Sequence, residues 1–149
     1  MWANGNIKDK KLALVTNKPE DLSLKVLEGF GLSDCFKMVV APESVKRMKP
    51  DPEGILKVLH EFGEVPEKAI MVGDSHTDVE AGKSAGTFTC GVTYGLGNKE
   101  ELIKSSPDIV IDEITKLLEY IWKNQEKEAR EGAVSHLAYS TLLPPLFLT

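Results

Sequence analysis

Five short and almost uninterrupted apolar runs limit what this chain can fold into: Leu12-Ala13-Leu14-Val15, Met38-Val39-Val40, Ala69-Ile70-Met71-Val72, Thr89-Cys90-Gly91-Val92 and Ile109-Val110-Ile111. They do not alternate apolar with polar residues, so each reads as a strand buried on both faces, the pattern of a parallel sheet covered by helices. Helical spacing fills the intervals. Leu22, Val26, Leu27 and Phe30 recur on one helical face before Gly31, a C-terminal stop. Asp51-Pro52-Glu53 reads as an N-cap followed by proline at the first helical position, and Ile55, Leu56, Leu59 and Phe62 continue as an apolar face up to Gly63. Shorter and longer helices are predicted over residues 79–85 and 113 to about 131. Strands alternating with helices predict a doubly wound, Rossmann-like α/β domain with a parallel sheet.

At 149 residues the chain has the length of one domain, enough to bury roughly two thirds of its unfolded surface. A net charge of −5 without a basic stripe argues against nucleic acid as a partner. Cys35 and Cys90 stand apart with no C-x-x-C spacing, which predicts buried, reduced thiols and neither zinc nor a disulfide framework. The first residues show no basic and then apolar leader, and no run reaches the length of a membrane span, so the expected location is cytoplasmic, with no membrane partner. Residues 1–131 read as the domain core and 132–149 as a tail of unknown role. Residues 133–149 carry no Asp, Glu, Lys or Arg, and so much exposed apolar surface invites docking on the chain's own core or on another chain. A remnant of cloning or a frameshift is an equal alternative.

Three polar clusters carry the chemistry. Thr16-Asn17 ends the first predicted strand and offers hydroxyl, amide and backbone donors suited to phosphoryl oxygens. Lys49 precedes Pro50 and a helix cap, from which a lysine reaches over the strand ends as a point positive charge. In Gly73-Asp74-Ser75-His76-Thr77-Asp78, two carboxylates four residues apart converge between a strand end and a helix start. That donor set suits a weak Mg²⁺ site, because Mg²⁺ favours one or two carboxylates plus waters and phosphate oxygens. Taken singly, each cluster has a plain alternative: Asp78 as an N-cap, Asp74 and Thr16-Asn17 as turn residues, and Lys49 as a solvated side chain.

Taken together and in this order, Leu12-Ala13-Leu14-Val15-Thr16-Asn17-Lys18, Lys49-Pro50-Asp51-Pro52 and the stretch from Met71-Val72-Gly73-Asp74 to Ser84-Ala85-Gly86 resemble the haloacid dehalogenase superfamily of phosphohydrolases, in its phosphoglycolate-phosphatase-like branch. The likeness runs over residues 11–121. It implies a Mg²⁺-dependent phosphomonoester hydrolase acting on a small phosphorylated metabolite. Thr16 and Asn17 would bind the phosphoryl group, Lys49 would offset negative charge, Asp74 would ligate Mg²⁺, and Asp78 would complete or brace the metal site. Ser75 would add a hydrogen bond. In the family an aspartate attacks phosphorus and a second aspartate two residues on serves as general acid and base.

Neither aspartate is found in these 149 residues, because no D-x-D-x-T segment occurs and neither Asp9 nor Asp21 ends an apolar run. The expectation is a core without the nucleophile strand and the cap, and therefore without turnover. A phosphate- and metal-binding or partner-binding truncated paralogue is the alternative, and an incomplete coding sequence a third. A receiver-like or flavodoxin-like domain is the runner-up fold, but neither predicts Lys49-Pro50 ahead of Gly73-Asp74. In the family the nucleophile strand lies centrally, so its loss leaves two unpaired strand edges, each unmet polar group costing about 1–3 kcal/mol. Three remedies are open: direct pairing of the flanking strands, insertion of a segment such as the uncharged tail, or strand exchange in a homo-oligomer. Direct pairing needs the fewest assumptions.

Overall fold

The structure, a computed structural model, describes residues 10–131 and 146–148. Its elements alternate: β1 (Leu12–Val15), α1 (Glu20–Gly29), β2 (Phe36–Val40), α2 (Glu53–Phe62), β3 (Ile70–Gly73), α3 (His76–Ala85), β4 (Phe88–Val92), α4 (Lys99–Lys104), β5 (Ile109–Ile111), α5 (Ile114–Glu131) and β6 (Leu146–Leu148). The sheet order is β2-β1-β6-β3-β4-β5, and every pair is parallel. All five apolar runs are strands of this sheet, and the doubly wound α/β reading holds.

The position of β6 answers the question of the central gap. Leu146, Phe147 and Leu148 pair with Leu12, Ala13 and Leu14 on one side and with Ile70, Met71 and Val72 on the other. The tail, not direct pairing of β1 with β3, is the remedy this structure uses. A third strand satisfies both facing ladders at once, whereas direct pairing would have to draw β1 and β3 together across the width of one strand.

Alternation along β3 divides the core in two. Met71 faces Ala13, Val15, Val40 and the α2 and α3 residues Ile55, Val58, Leu59, Ala81 and Ala85. Ile70 and Val72 face Cys90, Val92 and Ile111 together with Leu117 and Ile121 of α5. All four residues of β3 are buried, whereas β1 and β4 each carry at least one partly exposed residue. The stacked rings of Phe88 and Tyr120 extend the second layer.

Several helix details differ from the periodicity. In α1 only Leu27 of the four apolar positions is buried, while Leu22, Val26 and Phe30 are exposed. In α2, Val58 joins Ile55 and Leu59 in the core and Leu56 points out. The N-cap of α2 is Pro52 and not Asp51, and it makes no side-chain cap hydrogen bond; Asp51, two residues before the helix, instead closes the turn by accepting from the Glu53 N–H at Oδ1. The helix α4 is not among the helices expected from the sequence, although Asn98 followed by Glu101 ahead of Leu102 and Ile103 is a helix-start pattern. Cys90 is buried as expected, but Cys35 is exposed in a short turn before β2. No helix among the described residues is long and apolar enough to cross a membrane.

Two measurements check this arrangement. Phe147→Pro removes a ladder N–H from β6, and urea unfolding should show a loss of about 1–3 kcal/mol or more; unchanged stability would remove β6 from the sheet. Burial pushes the Cys90 thiol up to about 12, from an ordinary value of 9.0. Above pH 9 the unfolded chain releases this proton while the folded chain keeps it, so stability present below pH 9 declines toward pH 12. The decline should be shallower in Cys90→Ala, and a native-state thiol titration should count Cys35 alone.

Candidate phosphate and metal site

The carboxyl ends of β1 and β3 lie on either side of β6, and the sequence places polar residues immediately after both. The Thr16 N–H donates to the Val40 carbonyl at 2.9 Å, which extends the β1–β2 ladder and anchors the turn. The Lys18 N–H then donates to Thr16 Oγ1 at 3.0 Å, leaving the hydroxyl proton available for another acceptor.

Lys49 crosses into this region from the loop before α2. Its Nζ donates to Asp78 Oδ1 at 2.6 Å and to the Val15 carbonyl at 2.7 Å, with both charged side chains buried. Burial pushes the ammonium below the ordinary lysine range, and this is opposed by the attraction of Asp78 and, more weakly, of Asp74. Lys49 is therefore no solvated surface side chain. Its backbone is held as firmly: Asn17 Nδ2 donates to the Lys49 carbonyl at 2.9 Å, and the Lys49 N–H donates to Asn17 Oδ1 at 3.1 Å. The Asn17 amide thus brackets the lysine, a role its residue type and position did not reveal.

Asp78 is the third residue of α3 and not its N-cap. Ser75 is the N-cap of a capping box, and its backbone N–H donates to Asp78 Oδ2 at 3.1 Å. One Asp78 oxygen meets Lys49 and the other caps the helix, so this carboxylate braces the lysine. Gly73 makes room for it, since a Cβ at that position would lie 2.2 Å from Asp78 Oδ2.

Asp74 is held by a segment that sequence reasoning missed. Its Oδ2 accepts from the N–H groups of Leu96 at 2.8 Å and Gly97 at 3.1 Å, in the loop between β4 and α4. The available signal was the pattern Gly95-Leu96-Gly97 directly after a strand. Among the described residues no three or more His, Cys, Asp or Glu side chains group as a metal cage. What remains is one oriented carboxylate beside a buried cation. That set fits Mg²⁺, which keeps several waters and needs one or two carboxylates.

The five residues singled out from the sequence, Thr16, Asn17, Lys49, Asp74 and Asp78, thus fall at the carboxyl ends of β1 and β3 or on the segments packed there, and Lys49 joins Asn17 and Asp78 by hydrogen bonds. A family model for haloacid dehalogenase-like hydrolases matches residues 6–92. The chain belongs to that family. It is 37% identical over 113 residues to phosphoglycolate phosphatase of Salmonella choleraesuis, a match covering 76% of this chain and 45% of that protein. It is 38% identical over 110 residues to the pyrophosphatase PpaX of Listeria welshimeri, covering 74% of this chain and 51% of that protein. The crystal structure of a predicted phosphoglycolate phosphatase from Haemophilus somnus superposes with a TM-score of 0.70 at 33% identity, covering 74% of this chain and 49% of that one. The chain spans about half the length of the curated relatives it matches.

Removing one partner of the buried pair leaves the other uncompensated, so Lys49→Met should cost about 3–5 kcal/mol in urea unfolding. The double variant Lys49→Met with Asp78→Leu should recover much of that loss. A single-variant loss below about 1 kcal/mol would show the pair to be solvated.

Proposed function

We propose that this chain carries the phosphate- and Mg²⁺-binding part of a phosphomonoester hydrolase site, and that its 149 residues bind these ligands without turnover. The observation that carries the reading is Lys49, buried and braced by Asp78 at the carboxyl ends of β1 and β3, with Asp74 close enough to raise its proton affinity. A fixed positive charge at that place has an anion as its natural ligand. The names of the relatives, a phosphoglycolate phosphatase and a pyrophosphatase, support phosphoryl chemistry on small metabolites.

In this reading the Thr16 hydroxyl donates to a phosphoryl oxygen, and Lys49 offsets charge on the same group. Asn17 acts through Lys49, by holding its backbone, and Asp78 acts through Lys49 and the α3 cap. Asp74 is the residue that would hold Mg²⁺, and a bound Mg²⁺ would withdraw charge from the phosphoryl oxygens. The missing chemistry is nucleophilic: no D-x-D-x-T occurs in the 149 residues. A cytoplasmic location is part of the proposal, supported by two cysteines that are both free thiols.

Calorimetric titration tests the reading. Mg²⁺ and inorganic phosphate should each bind; Asp74→Asn should weaken Mg²⁺ about tenfold or more, and Lys49→Met should do the same to phosphate. p-Nitrophenyl phosphate with millimolar Mg²⁺ should not be hydrolysed. Turnover that disappears in Asp74→Asn would overturn the inactive assignment, and absence of binding by either ligand would overturn the site.

A further inference from the structure

The Leu96 and Gly97 amides converge on a single oxygen of Asp74. Successive backbone N–H groups turned to one point form an anion-binding concavity, and here the anion is the protein's own carboxylate. Among the described residues both hydrogen bonds to this side chain fall on Oδ2 and none on Oδ1, so the two amides hold one oxygen and leave the other for a further ligand. The two flanking glycines are needed for this approach. A Cβ on Gly95 would lie 2.2 Å from Asp74 Oδ2, and one on Gly97 would lie 2.0 Å from the Asp74 carbonyl oxygen. Neither glycine has the left-handed backbone found at Gly31, Gly63 and Gly86. The backbone conformation therefore does not itself demand glycine at either position; at Gly95 the obstacle to alanine is Asp74, and at Gly97 it is Asp74 together with Ser75.

The loop is tethered at both ends. Before it, the Thr93 N–H donates to the Ile111 carbonyl at 3.0 Å, tying it to β5. After it, Asn98 Oδ1 caps α4 by accepting from the Glu100 and Glu101 N–H groups. The short α4 is pinned by the buried Leu102, by Lys83 of α3 donating to the Ser105 carbonyl, and by the approach of His76 Nδ1 to a Glu101 carboxylate oxygen at 3.2 Å. A helix of six residues has little stability of its own. Its packing serves to hold the turn above β3.

We infer that residues 94–97 form a backbone clamp that presents the Asp74 carboxylate to a divalent cation, with Gly95, Gly97 and Asn98 as positioning residues. The inference rests on the reading of Asp74 as the cation's carboxylate. Residues that orient a metal-binding carboxylate without touching the metal typically alter affinity about 10–100-fold when changed.

The probe is Mn²⁺, a hard-ligand cation whose free and bound forms are distinguished by electron paramagnetic resonance, added to the 149-residue chain. Gly95→Ala should weaken Mn²⁺ by about tenfold or more, and Asn98→Ala by less. Phosphate affinity measured without metal should stay at the wild-type value. Gly29→Ala, at a position with nothing within 4 Å, serves as the control and should change nothing. A folded Gly95→Ala protein with unaltered Mn²⁺ affinity overturns the clamp and leaves the cation reading standing. Wild-type protein that binds no Mn²⁺ overturns the cation reading, and this inference with it. Should Gly95→Ala not fold, amide exchange decides: Asp74→Ala should speed exchange at Leu96 and Gly97 selectively, and unchanged protection there overturns the clamp.

Discussion

The backbone of β3 must be hydrogen-bonded along both edges, because all four of its residues are buried and water cannot satisfy them. One edge is met by β4 and the other by β6. From that constraint comes the placement of the functional end of the molecule. Gly73 and Asp74 emerge where β3 leaves the sheet, and Thr16 and Asn17 emerge two strands away, with β6 setting the distance between them. A three-residue strand from the chain's uncharged tail thus holds apart, and in register, the two halves of the site.

The second organising contact is electrostatic. Lys49 links the end of β1, the loop ahead of α2 and the first turn of α3 through three hydrogen-bonding groups: Val15, Asn17 and Asp78. Two buried charges in one another's company are costly to assemble, and the gain lies in a cation fixed before any ligand arrives. Nearby steric demands point the same way. Gly73 leaves space for Asp78 and Gly95 leaves space for Asp74, so both carboxylates sit closer to backbone than any side chain at those positions would permit.

Much of this was legible from residue order. Continuous apolar runs of three or four residues announced strands covered on both faces, and Gly31 and Gly63 marked helix ends. Hydrophobic spacing was a poorer guide to which helical face is buried. Leu22, Val26 and Phe30 share a face of α1 yet stay exposed, since spacing identifies a face but not whether another element covers it. The expected remedy for the central gap failed for a related reason: counting assumptions favoured direct pairing, but the sheet's two open edges were satisfied together by the tail. Cys35 was misplaced because it falls in a surface turn, where residue type has little influence on burial.

The kinds of residue at the strand ends, and their order, follow from the sequence alone, since hydroxyl, amide, lysine and carboxylate chemistry is local to each side chain. Family membership was recognisable on the same basis. The partners of these groups were settled only by the folded chain. That Asn17 brackets Lys49, that Asp78 spends its oxygens on Lys49 and Ser75, and that Leu96 and Gly97 orient Asp74 are contacts between segments 3 to 32 residues apart. Such contacts depend on where the sheet brings the ends of its strands, a property of packing that no single stretch of sequence contains.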